Sequence, residues 1–122
     1  MGFEPRYYES AFVNFKHMLM RGDAINGFWL LKDRLEKDLL PREAVDYVLN
    51  KYKYYIITQL LTIIADQGHF VVDQVRRRLE ILKLLHCEWP ELDTIEQSIN
   101  AIAKELRRKR DIENGLDPDA DN

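Results

Sequence analysis

Between Lys53 and Asp66 the chain runs YYIITQLLTIIA, twelve residues without a charge. No other feature restricts the possible folds as much. As a helix the run would be about 18 Å long, and a hydrocarbon core needs about 20 apolar residues, so it does not cross a membrane. Its Ile, Thr and Tyr content suits a strand. The flanking spacing does not. Val45, Val48, Leu49, Tyr52, Ile56, Leu60 and Ile63 recur at three and four residues, the helical period. Pro41 is a good first helical residue, Glu43 sits in the first turn and Gly68 is a good terminator. The pattern predicts one long helix over 41–67, weakest near Asn50.

Four further helices are expected around it. The first covers about 6–21, with Tyr8, Ala11, Phe12, Phe15, Met18 and Leu19 inward, and ends at Gly22. Asp23 is placed to cap the second, which runs to about Leu39 and buries Ile25, Phe28, Leu31 and Leu35. The fourth spans about 70–86 with Val72, Val75, Leu79 and Leu82 inward. The fifth starts near Asp93, where Asp93 and Glu96 match a capping box. Its Leu92, Ile95, Ile99, Ile102 and Leu106 form a narrow seam suited to the edge of a bundle. The connections Gly22-Asp23, Leu40-Pro41 and Gly68-His69 are short, so successive helices pack antiparallel. Trp89 before Pro90 cannot stay helical and marks an elbow. The expected fold is all-α: a compact five-helix bundle-like domain over 1–114 with a long central third helix. Residues 115–122, GLDPDADN, are expected to be an acidic disordered tail.

A length of 122 residues fits one domain with a real core. The single cysteine, Cys87, cannot form an internal disulfide, and MGFEPRYYES lacks the apolar region of a signal peptide. A cytoplasmic location is expected. The net charge of −3 gives no general attraction to nucleic acid or anionic lipid. Charge is uneven at the end: 104–110 carries +4 and 111–122 carries −5.

The long helix has two apolar faces. Val45, Leu49, Tyr52, Ile56, Leu60 and Ile63 share one; Tyr47, Tyr54, Ile57 and Leu61 lie opposite, mixed with Asn50, Lys51 and Thr58. A helix apolar all round is ordinarily buried, so neighbours on both sides are expected. The alternative is a displayed aromatic stripe, because tyrosine suits contacts with one wet and one dry end. Tyr47, Tyr54, Ile57, Leu61 and the aromatic Trp29 are the candidate contact residues. Trp89, in the elbow, is expected to seal the core.

Reactive chemistry is thin. His86 and Cys87 are adjacent, and neighbours on a helix point about 100° apart; a lone cysteine is ordinarily a small buried apolar residue. Asp66 and His69 are three apart, as two ligands on a helix would be, but Gly68 between them ends the helix and no second such pair completes a metal site. The stretch from His17, HMLMRG, partly resembles the signature of histidine phosphotransfer domains. Leu19 fits, whereas Arg21 and Gly22 come one residue later than that family's lysine and glycine. The resemblance would make His17 a phosphoryl acceptor. Arg76, Arg77 and Arg78, and again Arg107, Arg108, Lys109 and Arg110, are the basic clusters for a nucleic-acid reading. Consecutive residues fan about 100° each around a helix, whereas nucleic acid needs a concentrated basic face. The sequence is therefore read as a non-catalytic protein-interaction module, an adaptor, inhibitor or regulatory subunit. It is expected to use no cofactor or metal, and to bind another protein or a second copy of itself, not nucleic acid or membrane.

Overall fold

The computed structural model describes residues 3–66, 68, 70–113 and 115. These residues form helices and turns with no strand among them. A 3₁₀ turn at Pro5–Tyr8 leads into α1 (Glu9–Met20), followed by α2 (Ala24–Glu36), α3 (Arg42–Lys51), α4 (Lys53–Asp66), α5 (Val71–Leu84) and α6 (Pro90–Glu113). Among the described residues no helix is long and apolar enough to cross a membrane.

The helix expected over 41–67 is two helices, which corrects both the single long element and the count of five. The break is one residue wide, at Tyr52, with φ −106° and ψ 18°. Neither proline nor glycine lies there. What fills the bend is the elbow before α6. The Trp89 indole N–H donates to Asn50 Oδ1 at 2.9 Å. Lys53 Nζ sits 5.7 Å from the Trp89 ring centroid and 2.8 Å from the Glu91 carboxylate. Arg42 reaches the His86 carbonyl at 3.2 Å. Two side chains at the α3–α4 bend, Asn50 and Lys53, and one at the start of α3, Arg42, thus hold the same loop, and Trp89 is half-buried against the core.

Three helices end in the same way. At Gly22, Asp38 and His86 the backbone turns left-handed, with φ of 79°, 57° and 58°. In each case the next amide reaches back five residues: Asp23 to Met18, Leu39 to Arg34, Cys87 to Leu82. These are Schellman closures, which satisfy carbonyls the helix leaves open. Glycine makes the turn freely; Asp38 and His86 do not. This stops α2 at Glu36, short of the expected Leu39. At the helix starts the expected caps differ. Asp23 Oδ1 accepts from the Asn26 side chain at 2.7 Å, not from the backbone. α6 begins at Pro90, three residues before Asp93, because proline suits a first helical position. Glu96, expected in a capping box, pairs with Lys83 at 2.8 Å instead.

All six helices contribute to one core, which includes Phe15, Phe28, Leu31, Val48, Ile56, Leu60, Leu82, Leu85 and Ile99. No polar or charged side chain is buried among the described residues. The α1–α2 contact is tight: a Cβ on Gly27 would meet the buried Phe15 ring at 3.3 Å. α6 is the outlier in length. Its 24 residues give about 36 Å, against about 21 Å for the 14-residue α4 and α5. The Lys53–Glu91 and Arg76–Asn100 contacts fix the register. Counting on from them and from the Lys83–Glu96 pair, Asp66 falls level with Lys104 and Val71 level with 105–108. Beyond that level α6 projects past both neighbours, and Leu106 and Ile112 are exposed.

Candidate interaction surface

α4 shows why the opening stretch reads as apolar on two sides. Ile56 and Leu60 are buried in the core, and Ile57, Ile63 and Ile64 are packed against it. The outer face holds Tyr54, Thr58, Leu61 and Ala65, all exposed. Tyr54 is 84% exposed and Leu61 50%. The expectation of a central helix covered on both sides is corrected here. One side packs inward and the other, made of uncharged residues, faces outward.

The five candidate contact residues do not form one patch. Tyr54 and Leu61, seven apart, lie within about 20° of each other around α4. Ile57 is half-buried and belongs to the inner flank of the same helix. Tyr47 lies on α3, in a cluster whose ring centroids are 5.4 Å to Phe3 and 5.3 Å to Phe12. Trp29 lies on α2, beside a groove lined by Ile25, Arg77, Ile81 and Leu84. Its ring carries Lys32 Nζ at 5.8 Å. Thr58 and Ala65, which share the outer face of α4, are missing from the candidate set, as are the exposed Tyr55 and Thr62 beside it. The spacing of Thr58 and Ala65 from Tyr54 and Leu61 could have supplied those two.

The electrostatics of α4 are quiet. Its only charges are at its two ends, Lys53 and Asp66. Lys53 is directed at Glu91, and the hydrogen bond from its ammonium holds the Glu91 carboxyl below the ordinary glutamate range. Thr62 Oγ donates to the Thr58 carbonyl at 2.8 Å, so this hydroxyl is satisfied within its own helix. Gln59 donates to the Leu19 carbonyl at 2.8 Å. That bond ties α4 to the end of α1, where the next residue, Met20, is exposed.

The residues with reactive or metal-binding side chains are scattered. Cys87 is half-buried, and burial, the largest influence, pushes its thiol up to about 11. His86 serves as the left-handed closure of α5. His17 is exposed in the last turn of α1, and its carbonyl accepts the Arg21 amide. Gly22 has a conformational role of its own, since the closure of α1 needs its positive φ. His69 lies outside the described residues, as do Asn114 and all of 115–122 except Gly115. The Asp66–His69 pair and the acidic tail fall there. Among the described residues no three His, Cys, Asp or Glu side chains gather as a metal site would require. The arginines of α5 diverge. Arg76 donates to Asn100, Arg78 turns back to the Gln74 carbonyl, and Arg77 lines the Trp29 groove. Burial lowers the Arg78 guanidinium from its ordinary value. Arg107, Arg108, Lys109 and Arg110 sit on the projecting part of α6.

The described residues form six α-helices around one core, with an uncharged outer face on the fourth. No protein family, curated protein or solved structure matches the chain.

Proposed function

We propose that this chain is a non-catalytic protein-interaction module that works through helix surfaces, with the outer face of α4 as its contact. One observation carries the reading. The large apolar side chains Tyr54 and Leu61 share one exposed face of a helix that has no charge between its ends. Single exposed apolar residues are ordinary on any protein. Two large exposed apolar side chains on one uncharged helix face are less so, and exposed apolar patches mark contact sites. Tyrosine suits the rim of such a contact, since its ring can be covered while its hydroxyl stays wet.

The test is Tyr54→Glu. The substitution is expected to leave the far-UV helical signal unchanged, because the side chain is exposed, and to remove binding to a native partner or self-association. Loss of the helical signal would place Tyr54 among the residues that hold the fold, and the reading would fail.

A further inference from the structure

We infer that the occupant of the α4 face is a second copy of this chain, packed antiparallel across a two-fold axis that passes between Gln59 and Leu60. The inference rests on the interaction reading above and names its partner. Tyr54, Thr58, Leu61 and Ala65 are spaced four, three and four apart. That is the spacing of a coiled-coil seam, and here it points away from the core. Two such seams run antiparallel set Tyr54 against the copy's Ala65 and Thr58 against the copy's Leu61. Each layer then pairs a large side chain with a small one, so the two helices can approach without clash or void. A seam read in this way is complementary to itself, which is what a two-fold contact demands.

Charge points the same way. With no charge between Lys53 and Asp66, the face does not repel its own copy, and Lys53 is already engaged by Glu91. It also has no charged group to steer or select a foreign surface. Tyr54 falls at the end of the seam, where its phenol reaches water. Thr62, beside the seam, keeps its hydroxyl on its own helix by donating to the Thr58 carbonyl. The seam from Tyr54 to Ala65 is short, about 18 Å for 12 residues. A single helix face of that length is small beside the roughly 800 Å² per partner of a stable interface, so the dimer is expected to be weak, with Kd on the order of 100 μM.

Sedimentation of the purified full chain from about 10 μM to about 1 mM tests this. The mass is expected to rise from 14.5 kDa toward twice that value. Thr58→Lys and Leu61→Glu, each alone, are expected to weaken association at least about tenfold, the effect of burying an unpaired charge. Mixing the two variants is expected to restore it, because position 58 of one chain faces position 61 of the other. Both positions are exposed; if Leu61→Glu alters the helical signal, Thr58→Lys and the wild-type concentration series decide. A wild-type mass of 14.5 kDa throughout overturns the inference, as does a dimer indifferent to these substitutions or a mixture that is not rescued. If the chain is monomeric while Tyr54→Glu removes a foreign partner, self-pairing falls and the module reading stands. If no binding of either kind depends on Tyr54, both fall.

Discussion

Removing the indole that fills the α3–α4 bend is the most direct test of how the fold is held. Trp89→Phe keeps an aromatic ring in the elbow and deletes the N–H that Asn50 accepts at 2.9 Å. A neutral hydrogen bond contributes about 1 kcal/mol net. The Lys53 cation over the ring, at 5.7 Å, contributes about 0.5 kcal/mol more and weakens on the smaller ring. The expected cost is about 1–2 kcal/mol. Asn50→Ala removes the acceptor but sits near the end of α3, where alanine returns about 0.5 kcal/mol of helix propensity. The single costs therefore differ, and their coupling is the informative quantity. Urea unfolding followed by circular dichroism on wild type, both single variants and the double gives a complete cycle. With a denaturant slope of about 1–2 kcal/mol/M, each kcal/mol moves the midpoint by about 0.5–1 M. A coupling of about 1 kcal/mol is expected for partners in direct contact. Costs additive to within about 0.3 kcal/mol would show that the indole and the amide do not hold each other, and the account of the bend would be wrong.

The left-handed closures give a second set of outcomes. Asp38→Gly and His86→Gly should each stabilise the protein by about 0.5–1 kcal/mol, since both positions require positive φ; a drop in melting temperature would contradict this. Cys87, its thiol pushed up to about 11, should resist iodoacetamide at neutral pH in the folded protein and react readily in urea. Equal rates in the two states would refute its burial. Because Lys53 depresses the Glu91 carboxyl, the pair adds stability above the ordinary glutamate range, and this is lost as pH falls through the depressed folded value. Lys53→Met should therefore flatten the fall in urea midpoint on acidification, and an unchanged acid slope would show that the pair is not formed.

Much of this architecture could be read from local pattern. The inward residues of α1, and Val75, Leu79 and Leu82 of α5, follow from period alone, whereas the buried Val71 and Ile81 were not anticipated; Gly22 marked the end of α1 because one residue type fits that backbone so well. What could not be read was set by distant partners. The break at Tyr52 has no proline or glycine to announce it; it forms where Asn50 and Lys53 engage Trp89 and Glu91, nearly forty residues on. Glu96 looked like half of a capping box until a lysine from α5 claimed it. Asp38 and His86 end helices in a conformation their residue type disfavours, so neither looked like a terminator. The candidate surface was legible in outline. A helical wheel shows that α4 has two apolar faces, but only the packed neighbours decide which is covered. The same limit scattered Tyr47 and Trp29 away from Tyr54: they belong to separate helices whose relative placement no spacing rule supplies.

The extra length of α6 carries a consequence for protease sensitivity. Past Lys104 no side chain of the helix joins the core, and about two and a half turns of helix without core packing are marginal in water. That segment opens and recloses without waiting for the rest of the molecule. It also holds Arg107, Arg108, Lys109 and Arg110. Trypsin added sparingly to the native protein should clip there first, trimming the far end of α6 and leaving the packed body of the domain intact.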